Sequence, residues 1–388
     1  MVATQRMTIE STHADEQTRS RFAYIDNLRV YLTVLVILHH AAIAYGGAGD
    51  WGVQDVVTDE ISPILLSIFN AVNQAYFTPA SFERKGTRQF LTDRLVRLGI
   101  PLLVYIIVVR NLNEYLLDVF YRDVPFQFRL GYAPGHLWFL QALLVFAVGY
   151  LLVRTLMDQR VAHESEPRQS QLPMQKQRYA NRPVLSDRML WSWIGVLTVL
   201  TFAVRLRFPV GVWFAGVQPG HFVHYIIAFV IGTVAWRNDW FTAISFTQAR
   251  RWGIGALLAL PLFVLLAVAA GVLADASNLT NVMGGWHWAA FGYALWESFV
   301  MIAMLIVLLY LFRTCFNRSN PLLQMMAANA YTVYIIHATV LYAVNIGLLS
   351  VAWPSILKFF VAGAITVSVC FLLSILIRRL PGATKVLG

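Results

Sequence analysis

Hydrophobic positions come in long blocks, and polar positions gather in the gaps between them. Ten such blocks fall near residues 30–47, 61–80, 98–118, 136–156, 189–209, 221–236, 253–273, 287–311, 328–350 and 354–377. Most approach the roughly 20 residues a helix needs to cross about 30 Å of hydrocarbon. Inside a bilayer each backbone amide must find its partner within its own segment, so blocks of this kind are predicted to be helices. The expected fold is all-α, a polytopic membrane bundle of about ten transmembrane helices.

The polar gaps carry a second pattern. Arg19, Arg21 and Arg29 precede the first block, whereas Asp50, Asp55, Asp59 and Glu60 follow it. Arg84, Lys85, Arg88, Arg94 and Arg97 come after the second, and basic residues return at every second gap as far as Arg378, Arg379 and Lys385. Basic connections stay in the cytoplasm, so the alternation predicts both termini there. Arg122, Arg129, Arg205 and Arg207 fall on the wrong side of this count. Residues 1–20 are polar, mixed in charge and without an apolar signal core, and are expected to be a disordered cytoplasmic N-terminus. Residues 157–188, rich in Gln and containing prolines, read as a flexible cytoplasmic linker inside a membrane domain of 21–380, with a cytoplasmic tail at 381–388.

Composition fits this picture. Of 388 residues, 58% are hydrophobic and 13% charged, against about 25% charged in soluble domains. The net charge of +10 is accounted for by topology, which leaves no separate basic surface for nucleic acid. Cys315 and Cys370 offer neither a disulfide framework nor a metal-binding spacing, and no resident metal or bound cofactor is expected.

Candidate chemistry sits where charge is costly. In "RVYLTVLVILHH" Arg29 and His40 are eleven residues apart. That separation is three turns plus about 20°, so they share a helix face roughly 16 Å apart along the axis. Asp26 lies near the same stripe, and His39 is turned away from it. Arginine recognises phosphate bidentately, and histidine can act as a general base near neutral pH. The alternative is a snorkelling arginine with a histidine bonded between helices. Arg94 and Arg97 begin the third block on the same predicted side, as donor-binding residues or as topological anchors. His136 in "GHLWFL", Glu297 in "YALWESFVMIA" and His337 in "NAYTVYIIHA" are supporting candidates, each with a structural alternative; an intramembrane carboxylate is a functional candidate by default.

"YIDNLRVYLTVLVILHH", "FLTDRLVRLGIP", "GHLWFL" and "NAYTVYIIHA" together resemble, in order, the blocks of the type-three membrane acyltransferases. "DNLR", "RLRFPVG" and "IRRLPGATKVL" most resemble that family's glucan-modifying (succinyltransferase) protein C branch. The resemblance implies transfer of an acetyl- or succinyl-type group from a cytoplasmic donor, acyl-CoA, to a hydroxyl of a cell-envelope glycan. It implies His40 as the catalytic histidine, Arg29, Arg94 and Arg97 as holding the donor's phosphates, and a multi-pass location in the cytoplasmic membrane. One block departs from the family. "FNAVNQAYFTPASFERKG" lacks about ten apolar residues expected between Phe77 and Thr78, which leaves a short, polar second span. Two other readings therefore stand beside the acyltransferase: a proton-coupled transporter or flippase using His40, Glu297 and His337, and an inactive homologue disabled at the second span.

Overall fold

The computed structural model describes residues 23–76, 92, 94–164 and 185–387. Among them there is no strand, and ten main helices carry the chain: α1 Ala23–Ala44, α2 Ile61–Tyr76, α3 Leu95–Phe120, α4 Trp138–Glu164, α5 Asp187–Arg205, α6 Pro219–Arg237, α7 Phe246–Ala269, α8 Trp288–Cys315, α9 Pro321–Leu348 and α10 Ser355–Ile377. Eight are long and apolar enough to cross a membrane. The apolar parts of α2 and α6, Ile61–Asn73 and Pro219–Ala235, are shorter. The protein is an all-α polytopic membrane bundle.

The segment expected to be a linker is partly helical. α4 continues to Glu164 and α5 starts at Asp187, where Ser186 caps it by accepting from the Met189 amide; residues 165–184 lie outside the described residues. The second block, expected to run to residue 80, forms α2 only as far as Tyr76. The stretch where the family block departs, together with residues 1–20, Arg84, Lys85 and Arg88, lies outside the described residues.

The bundle has two halves. α5, α6, α7 and α8 share one core with the start of α1, through residues such as Leu190, Ile194, Trp252, Trp296 and Ile302. α1, α9 and α10 build the other, with α2 closing one side and α3 and α4 packing on α9. In lipid there is little hydrophobic drive between helices, so close approach depends on small residues. A Cβ added at Gly363 of α10 would lie 2.5 Å from Leu38 of α1, and one at Gly255 of α7 would lie 2.9 Å from Phe299 of α8. Bulkier residues would force either pair of helices apart.

α1 and α9 start at the same end. The amide of Tyr24 donates to Asn317, and the Asn27 side chain donates to the carbonyls of Phe316 and Arg318 just before α9. α3 also begins near that end, against Tyr331 of α9. Pro101 has no amide to offer the carbonyl four residues back. That carbonyl belongs to Arg97, and it accepts instead from the Tyr331 hydroxyl. Two π-helical turns, Leu95–Gly99 and Tyr105–Val109, flank the proline; such turns shift which residues face a neighbouring helix.

Candidate active site

Three histidines from three helices meet inside the first half. His40 lies one turn before the end of α1, His337 in the middle of α9, and His136 in the 3-10 turn Gly135–Leu137 that leads into α4. His337 is fully buried. His40 Nδ1 and His337 Nε2 are 3.0 Å apart, and the His136 ring meets the His337 ring edge-on with centroids 4.7 Å apart. Gly135 permits this approach. Its backbone is left-handed (φ +51°), and a Cβ there would sit 2.3 Å from the Tyr105 hydroxyl, so no other residue fits the turn.

The backbone fixes which ring nitrogen holds each proton. His337 Nδ1 is 2.6 Å from the Tyr334 carbonyl oxygen, and His136 Nε2 is 3.1 Å from that of Ile335. A carbonyl only accepts, so both nitrogens donate; each oxygen has a second lone pair to offer beyond the helix's own bond. With His337 neutral, its Nε2 is then an acceptor. His40 must donate to it from Nδ1, which leaves the lone pair of His40 on Nε2. The Tyr334 hydroxyl donates to the His136 carbonyl at 2.7 Å and ties α9 to the turn before α4. Among the described residues no carboxylate bonds to any of the three rings, and no group of three or more His, Cys, Asp and Glu is arranged to hold a metal. The arrangement suits a neutral base oriented by a second imidazole.

The predicted site residues fall into three places. His40, His136 and His337 come together. His39 turns its ring edge-on to His40, with centroids 5.4 Å apart. Arg29 stays near the start of α1, more than half exposed and bonded to Asp26 at 3.1 Å. Arg94 and Arg97 open α3, both within electrostatic reach of the Tyr331 hydroxyl. Tyr331 precedes His337 by six residues, about 9 Å along the helix. All three arginines thus lie toward the shared starting end, with the histidines deeper.

Glu297 is elsewhere. In the second half it contacts Arg205 Nη2, and its other oxygen lies 2.8 Å from His221 Nδ1. Arg205 was counted in the sequence among the outer exceptions; it is the last residue of α5 and wholly buried. Its Nε donates to the Gly220 carbonyl at 3.0 Å, and the guanidinium lies over the Tyr293 ring at 4.7 Å. His224, one turn beyond His221, is bonded between Thr201 and Ser298. None of Arg205, His221 or His224 stood out as a site residue in the sequence, although two signals were there: an arginine against the charge alternation, and two histidines three apart on one helix.

The fold and this region define a multi-pass helix bundle with a buried cluster of three imidazoles and arginines toward one end. The profile of an acyltransferase domain (Acyl_transf_3) matches residues 22–375, and the chain belongs to that acyltransferase family. It is a membrane acyltransferase. No curated protein and no solved structure matches the chain.

Proposed function

We propose that the protein is an O-acyltransferase that moves an acetyl- or succinyl-type group from acyl-CoA to a hydroxyl of a cell-envelope glycan. The observation that carries this reading is the hydrogen-bonded sequence Tyr334 carbonyl, His337, His40, which leaves the His40 Nε2 lone pair available. In the proposed reaction Nε2 takes the acceptor's hydroxyl proton as the oxygen attacks the thioester carbonyl carbon. The C–O bond forms, the C–S bond breaks, and the proton passes from Nε2 to the departing thiolate, so base and acid are one group. Arg29, Arg94 and Arg97 hold the phosphates of the donor, a role supported by their position toward one end. The alternation of basic connections supports ten spans, both termini in the cytoplasm and a place in the cytoplasmic membrane, with the donor entering from the basic side.

The test is mass spectrometry of envelope glycans from cells carrying wild type or His40→Ala. An acyl mass present with wild type and missing with the variant is the expected result, and its size identifies the acyl group. Acylation by His40→Ala at the wild-type level removes His40 from the reaction. Proton-linked transport with no acylated product favours the transporter reading.

A further inference from the structure

Between α1 and α2 the chain passes over the deep end of the histidine centre and inserts Trp51 there. The indole lies flat on the His40 ring, with centroids 4.2 Å apart and planes 18° apart, and also touches Tyr342 at 4.9 Å. Trp51 is 9% exposed and Val53 fully buried. The connection is fastened on both sides of the indole. The Tyr45 hydroxyl donates to Asn345 at 3.0 Å, the Asp55 amide donates to the Ala44 carbonyl at 2.9 Å, and the Asp55 carboxylate pairs with buried Lys358 of α10. At the end of the connection Asp59 accepts from the amides of Ile61 and Ser62 and caps α2, and the Ser62 donors hold its carboxyl below the usual range. Gly52 lets the chain pass Leu117 and Tyr342, where a Cβ would meet both at 3.0 to 3.1 Å.

The indole N–H of Trp51 is buried and has no acceptor among the described residues. Buried indoles ordinarily find one, and two others in this protein do: Trp296 donates to the Ala259 carbonyl at 2.7 Å, and Trp252 donates to Asp187 at 3.1 Å. An unmet buried donor is costly. Here it belongs to the ring stacked on His40, the proposed base. Of the reacting atoms, the acyl carbonyl oxygen is the one that only accepts, and it gains negative charge as the acceptor hydroxyl attacks. A donor set beside that oxygen is worth more in the transition state than in the ground state.

We infer that Trp51 is a second catalytic residue, whose indole N–H holds the carbonyl oxygen of the acyl thioester as the hydroxyl engaged by His40 attacks. This rests on the O-acyl transfer proposed above. The indole gains and loses no proton in the step; it stabilises the tetrahedral oxyanion and releases it when the C–S bond breaks.

The test uses full-length protein in proteoliposomes, acetyl-CoA or succinyl-CoA as donor and the host cell's envelope glycan fraction as acceptor. Trp51→Phe keeps a ring on His40 without the N–H. Incorporation of benzothienylalanine at position 51 keeps the bicyclic shape and removes only the N–H. Loss of one such donor is expected to lower kcat by about a hundredfold, with the donor KM and the melting temperature unchanged. A benzothienylalanine protein with wild-type kcat overturns the inference; if His40→Ala is inactive in the same assay, the transferase reading stands. A loss of kcat matched by a loss of folded protein in both variants also overturns it, because the ring is then structural. A wild type that transfers neither acyl group overturns this inference and the reading beneath it together.

Discussion

The bundle holds two buried polar centres, and they are built on opposite plans. In the second half Arg205 and Glu297 carry opposite charges on neighbouring helices, and His221 and the Gly220 carbonyl add further bonds, although Arg205 Nη1 finds no partner among the described residues. His224 is held between Thr201 and Ser298. Charge is balanced within that centre. In the first half three imidazoles meet with no bonded carboxylate among the described residues, and backbone carbonyls set the tautomers. One centre neutralises its own charge. The other ends on an unused lone pair, on a ring stacked by an indole whose N–H meets no acceptor among the described residues. Neither burial of ionisable groups nor an unmet N–H alone marks a reaction site within a membrane, since Arg205 Nη1 also lacks a partner among the described residues; a neutral base with an unused lone pair is the better sign.

The sharpest way to break the comparison is to remove one member from each side. His40→Ala should lower acyl transfer by about 10³- to 10⁴-fold, the upper part of the range for a general base, while the melting temperature in detergent stays near the wild-type value. Glu297→Ala should do the reverse. It strands the Arg205 guanidinium in the interior, at a cost of about 3–5 kcal/mol, read as a lowered midpoint of unfolding or as less protein retained in the membrane. Replacing both partners, Arg205→Met with Glu297→Leu, should recover much of that loss, since a buried pair is often no more stable than apolar side chains of similar volume. If the double variant is as unstable as Glu297→Ala, the second centre does more than balance charge. If Glu297→Ala melts normally but no longer transfers acyl groups, the division between the centres is wrong.

A smaller effect sharpens the first centre from within. His337→Ala takes away the acceptor that orients His40 Nδ1, so kcat should fall, though less than for His40→Ala. His337→Gln offers a side-chain oxygen to the same N–H and should recover part of the loss. Equal activity of His337→Ala and wild type removes His337 from the positioning role. Recovery by Gln but not by Leu separates a lost hydrogen bond from lost packing.

How much of this was readable in the sequence follows from what is local and what is not. Helices are local, and each of the ten apolar blocks overlaps one of the ten main helices. Their ends are less local: α4 runs on to Glu164 within the expected linker, because a helix continues through polar residues once its apolar turns are set. His40, His136 and His337 each stood out singly, but His40 and His337 are 297 residues apart, and no periodicity within a helix reports contact with another. Arg205 showed as a defect in the charge alternation, yet its partner Glu297, 92 residues on, is a matter of packing. Trp51 left no mark at all, for a tryptophan in a polar connection reads as an interfacial residue. Only the strap fastened by Asp55 and Lys358 places it on the base.

The smallest expected effect concerns the starting end of the first half, and it tests whether reaction and donor binding are separate in space. Arg29 and Asp26 are paired but more than half exposed, and such pairs contribute about 0–1 kcal/mol. Arg29→Ala should therefore leave the melting temperature almost untouched. Arg29 is also three helical turns, roughly 16 Å, from His40, too far to touch the reacting carbon but suited to the far end of a long donor. The expected result is a raised KM for acyl-CoA with kcat retained, and a smaller effect when the donor is a short thioester such as an acyl-pantetheine, which lacks the nucleotide phosphates. A lowered kcat with both donors would place Arg29 in the chemistry itself. An unchanged KM for acyl-CoA would leave it an anchor at the membrane surface, with Arg94 and Arg97 as the remaining candidates for holding the donor.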